Sequence, residues 1–150
     1  SPLGAVLGVN LNTTKTGLLK GLLEGITYEM KLNLGLLSNS GIKVSGLRAF
    51  GGGVRNETWM QIKADIFGLP IECHEVREAG CMGAAILAAK AAGSVSSVNE
   101  CCDKWVRVSK VYEPNEGRAA LYNQRYKMYE ELYERLTPVR NEMNQLKWSK

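Results

Sequence analysis

A chain of 150 residues, 45% hydrophobic and 23% charged, suffices for one domain with its own core and has an ordinary globular composition. It contains no apolar run of about 18 residues, so no membrane partner is expected, and Ser1-Pro2-Leu3-Gly4 does not read as a signal peptide. The net charge of +4 is mild, and Lys104, Arg107 and Lys110 alternate with apolar residues as on a solvated strand edge, which argues against nucleic-acid binding.

In chain order, Leu3, Val6, Leu7, Val9 and Leu11 alternate with small residues, as though the chain began inside something longer. Asn12-Thr13-Thr14 supplies capping oxygens for free first-turn amides, and apolar residues from Leu18 to Leu37 recur at helical spacing. A helix is therefore predicted from about Thr14 to Ser38, ended by Asn39-Ser40-Gly41. Gly17, Gly21 and Gly25 form one stripe along it. Each costs about 1 kcal/mol against alanine, so the stripe implies close approach of another backbone.

Ile42–Phe50 reads as a strand entering Gly51-Gly52-Gly53, followed by a helix from Asn56 to Phe67 and a short strand over Leu69–Cys73. A helix from Glu78 to about Ala92, rich in glycine and alanine, is expected to pack against the glycine-striped helix or a sheet. A short helix over Val95–Cys102 and an edge strand over Trp105–Val111 come next. The last helix, Glu116 to Leu136, carries Tyr122, Tyr126, Tyr129 and Tyr133 as a packing face; residues 1–138 read as the domain and 139–150 as a frayed tail. Strands alternating with covering helices indicate an α/β layered fold. The four cysteines form no C-x-x-C pair and His74 is the only histidine, so no metal site is expected and the thiols read as reduced, in a cytoplasmic protein.

The stretch that carries chemistry is Phe50-Gly51-Gly52-Gly53-Val54-Arg55-Asn56. A strand ends, three glycines turn the chain and a helix starts. Without Cβ atoms, such a turn lets a flat base or sugar lie against the backbone. The helix N-terminus beyond it attracts anions through free amides and its dipole. The segment is neither G-x-G-x-x-G nor a P-loop, and a tight turn that binds nothing is the competing reading. The Asn56 amide could cap Trp59 or reach a ligand.

GGGVRNETWMQIKAD (51–65) is similar to the adenosine-binding segment of FGGY carbohydrate kinases. LLEGITYEMKLNL (22–34) and EAGCMGAAILAA (78–89) resemble two of the family's helices, and Pro114 with Tyr122, Tyr126 and Tyr129 its closing helix. Gly4–Val9 resembles the start of a family signature whose later places hold Gly17, Gly21 and Leu22, with Glu24 kept. The resemblance implies the C-terminal part of an actin-like (ribonuclease H-like) ATPase domain with a C-terminal helical extension. It implies a xylulokinase-like enzyme that transfers phosphoryl from ATP, with Mg2+, to a sugar or polyol hydroxyl, a xylulose-like ketose first. By the same resemblance Gly51 shapes the turn, while Gly52, Gly53 and Asn56 contact the adenosine. The catalytic base, both phosphate loops and the sugar pocket belong to upstream parts, so the chain reads as an inactive fragment of a kinase. Its expected partners are the missing N-terminal domain and a second copy. Asp65, Asp103, Glu24 and Glu78 read as structural, the two glutamates bonding backbone or a helix end. The alternative function is a stand-alone, non-catalytic nucleotide-binding or dimerisation module.

Overall fold

The computed structural model describes residues 4–76 and 78–145. Helix α1 (Lys15–Asn39) starts where the caps foretell: the Thr14 hydroxyl accepts from the Gly17 amide at 3.0 Å, and Gly41 leaves the helix at φ +84°. Strand β1 (Leu47–Ala49) is shorter than the expected 42–50. A strand lasts only while a neighbour pairs with it. β1 pairs in parallel with β2 (Ile71–His74), Leu47 opposite Ile71 and Ala49 opposite Cys73, and at Pro70 the partner has no amide to offer. Helix α2 (Glu57–Phe67) connects them and closes on Gly68 at φ +69°.

Helix α3 (Ala79–Ala91) follows β2, then α4 (Val98–Trp105) and β3 (Val108–Tyr112), which pairs antiparallel with the other side of β2. The sheet order among the described residues is β1-β2-β3. α4 begins and ends three residues later than the sequence suggests, because Ser97 caps it by accepting from the Glu100 amide at 3.1 Å. Helix α5 (Glu116–Gln145) passes straight through Pro138, so residues 139–145 are helical where a frayed tail was expected; 146–150 lie outside the described residues. The ring costs one backbone bond, to the Glu134 carbonyl on an exposed residue where water can replace it. Arg140, stacked 5.2 Å over Tyr133, ties the added turns to the tyrosine stripe.

α2 is the centre of the molecule. One side packs Met60 and Ala64 on the sheet with Ile71, Cys73 and Tyr112. The opposite side packs Ile62 and Ile66 against Tyr28 of α1 and Tyr122 of α5. The tyrosine stripe of α5 is a packing face: Tyr122, Tyr126 and Tyr129 surround the Tyr28 ring at centroid distances of 6.4, 5.9 and 5.3 Å.

The small-residue surfaces do not behave as expected. A Cβ at Gly21, Gly25, Gly80 or Gly83 would meet nothing within 4 Å, and one at Gly17 would meet only the capping Thr14 hydroxyl. α3 buries Ile86 alone and packs on α4. Neither stripe approaches another backbone among the described residues. Leu18, Leu22 and Ile26 of α1 and Leu87 of α3 are likewise exposed.

Candidate functional site

The chain leaves β1 through Phe50 and turns at Gly51, whose φ of +87° and ψ of −171° fall in a region open essentially to glycine alone. Gly52–Arg55 then make one 3₁₀ turn, with the Val54 amide donating to the Gly51 carbonyl at 3.3 Å and the Asn56 amide to the Gly53 carbonyl at 3.2 Å. α2 begins at the next residue. Asn56 is its cap, the Oδ1 accepting from the Trp59 amide at 3.0 Å. Of the two roles open to this side chain, the structure shows capping; what it can still offer a ligand is its NH2 group.

The three glycines differ. Gly51 is required by its backbone angles. Gly52 has ordinary angles and is exposed, and a Cβ there would point into open space. Gly53 is backed by protein: its Cβ would stand 3.5 Å from the Trp59 ring. That indole is held in turn, donating from Nε1 to the Thr27 hydroxyl at 3.1 Å, while Thr27 donates to the Leu23 carbonyl at 2.7 Å and the Lys63 ammonium sits 3.9 Å over the ring. The turn is therefore a fixed wall with an open outer side beside a helix N-terminus. Such a wall can take a flat polar ligand along its backbone and an anionic group near the first-turn amides. Arg55 is exposed at the end of the 3₁₀ turn, as a solvent-facing residue. Among the described residues, no three histidines, cysteines, aspartates or glutamates are grouped to hold a metal ion.

Asp65, Asp103, Glu24 and Glu78 lie elsewhere. Asp65 is buried near the far end of α2, where it accepts from the Asn115 amide at 2.8 Å, Gln61 at 2.9 Å and Arg118 Nε at 2.5 Å. Burial raises its carboxyl pKa, but the bonds from Arg118, Asn115 and Gln61 outweigh this and leave it below the ordinary aspartate value. Asp103 is exposed on α4. Among the described residues Glu24 bonds neither backbone nor a helix end, the two partners expected of it: it accepts from the Tyr122 hydroxyl at 2.6 Å and pairs with Lys20 at 3.3 Å. Glu78 stands at the start of α3 without a side-chain capping bond. The contact of Phe50 with His74, stacked at 4.6 Å behind the turn, is absent from the sequence reading. Two residues 24 apart give no local signal.

Residues 3–92 match the C-terminal domain of the FGGY family of carbohydrate kinases, which is more than half of the chain. The chain belongs to that family. Among its relatives, a xylulose kinase of Staphylococcus epidermidis is 33% identical over 130 residues, covering 87% of this chain and 26% of the relative. A glycerol kinase of Bacillus licheniformis is 37% identical over 124 residues, 80% of this chain and 25% of the relative. This FGGY chain thus spans about a quarter of the length of such relatives. Its fold is that of the family: the ligand-bound xylulose kinase of Lactobacillus acidophilus superposes with a TM-score of 0.84 at 25% identity, over 91% of this chain and 28% of that one. The glycerol kinase of Plasmodium falciparum with ADP gives 0.75 at 25% identity, over 89% and 26%. The actin-like α/β fold read from the sequence is therefore the fold of the protein.

Proposed function

We propose that this chain forms the adenosine-facing wall of an ATP-dependent kinase for a sugar or polyol hydroxyl, with a xylulose-like ketose the first substrate to test. The observation that carries the reading is the turn itself: a parallel strand ending in glycine-only backbone at Gly51, open space at Gly52, and a capped helix N-terminus at Asn56. Open α/β sheets bind ligands at the carboxyl ends of their parallel strands, which is where this turn lies. Relatives that act on xylulose and glycerol, and a structural neighbour solved with ADP, support the choice of substrate and nucleotide.

Phosphoryl transfer depends on positioning and charge neutralisation. In this reading the chain supplies positioning only. Gly52 and Gly53 pack on the adenosine and Asn56 reaches it through its NH2, while other parts of the enzyme would hold the Mg2+ that neutralises phosphate charge. Asp65, committed to three donors, is not a general base, which must come within about 3 Å of the proton it takes. The exposed apolar residues of α1 and α3 support a further domain or a second copy as partner.

Titration calorimetry with ADP and a coupled ADP-release assay with xylulose test the reading. Binding without sugar-dependent turnover by the 150-residue chain is expected. Turnover by the pure chain would overturn the assignment of the base to other parts, and failure to bind ADP would leave the turn a structural one. Binding that persists while the family's sugars have no effect in the complete enzyme would favour the non-catalytic module.

A further inference from the structure

Behind the glycine turn sits the only histidine of the chain. His74 closes β2, Phe50 follows β1, and the two strands run in parallel, so both rings stand at one end of the sheet. Their centroids are 4.6 Å apart and their planes 11° apart. His74 is 4% exposed, and among the described residues neither Nδ1 nor Nε2 has a hydrogen-bond partner. Glu72 Oε2 lies 3.8 Å from Nε2 and is engaged by Arg48 at 3.1 Å. Among the described residues the ring is held by packing, as a flat plate against Phe50. Phe50 is the residue through which the backbone enters Gly51, and glycine, with no side chain of its own, cannot anchor that turn.

We propose that His74 is a positioning residue for the nucleotide wall. By stacking on Phe50 it sets the direction in which the chain enters Gly51, and with it the places of Gly52 and Gly53. This inference rests on the reading of the turn as the adenosine wall. It predicts that a flat ring at position 74 matters and that the imidazole nitrogens do not.

The test uses the whole chain and two readouts: amide chemical shifts of Gly51, Gly52 and Gly53 without ligand, and ADP affinity by calorimetry. His74→Ala is expected to move those amides and weaken ADP binding by about tenfold, the scale of one aromatic stack. His74→Phe is expected to restore both. Should His74→Ala fail to fold, His74→Leu fills the space without a flat face and is expected to behave as the alanine variant would. Ile71→Val, a buried change on the same strand, should leave both readouts unmoved. Unchanged amides and ADP affinity in the alanine or leucine variant would overturn the inference and leave the wall reading standing. A phenylalanine variant as poor as alanine would overturn it too. A wild-type chain that binds no ADP overturns the wall reading and this inference together.

Discussion

The two ends of α2 set polar groups to opposite uses. At the far end, Asp65 is buried and its oxygens are taken by Gln61, Asn115 and Arg118, while the Ile66 carbonyl accepts from Lys31 Nζ at 2.5 Å. Those bonds bind α2 to the start of α5 and to α1. At the near end, Asn56 satisfies one amide of its own helix and the glycine turn faces open space. A carboxylate is the more reactive-looking group, yet here it is locked, and the surface the fold leaves open is bare backbone. What distinguishes a structural polar group from a functional one is whether its partners are already supplied by the fold.

Removing the lock should cost most. Asp65→Ala leaves the Asn115 amide without its acceptor and Gln61 with the Glu113 carbonyl alone, and is expected to destabilise the chain by about 2–4 kcal/mol, less than a fully buried pair because the Arg118 side chain is 53% exposed. Urea unfolding with ADP absent checks this, and a loss under about 1 kcal/mol would make Asp65 incidental to the fold. The same group sets an acid limit. Its pKa is lower folded than unfolded, so its contribution is fully present above the unfolded value of about 3.9 and is lost as pH falls through the lower folded value. Asp65→Asn should flatten that part of the stability–pH curve.

At the other end the expected effect moves from stability to affinity. Gly52→Val introduces a side chain into space the fold leaves open, so its melting temperature should stay near that of the parent. Its affinity for ATP should fall by roughly 30-fold to 1000-fold, about 2–4 kcal/mol. Equal affinity would end the wall reading. Asn56→Ala is expected to lose about 1 kcal/mol of stability as a missing cap; any further loss seen only in the ATP-induced shift of melting temperature measures contact by its NH2 group. The smallest change expected is a gain. Gly21→Ala, in a helix interior with nothing within 4 Å of the added carbon, should stabilise the chain by about 0.5–1 kcal/mol. A loss instead would show that another backbone does cover the α1 stripe in solution.

Local signals in the sequence marked where α1 and α2 begin and end and where the chain must turn. Thr14 and Asn56 cap their helices, Gly68 closes α2, and the run of glycines after β1 marks the turn, because capping and backbone angles are settled within a few residues. The tyrosine spacing likewise marked a packing face before its partner Tyr28 was known. Tertiary structure alone decided the rest. β1 begins only at Leu47 because its partner strand begins at Ile71, and Pro138 stays helical because the carbonyl it leaves unbonded is on an exposed residue. Asp65 finds Arg118 and His74 finds Phe50 across 53 and 24 positions. The glycine stripes of α1 and α3 carry the same lesson in reverse. Their sequence shows that a backbone could approach closely, but proximity belongs to the partner, and among the described residues nothing beyond the helix's own backbone would come within 4 Å of a Cβ at Gly21, Gly25, Gly80 or Gly83.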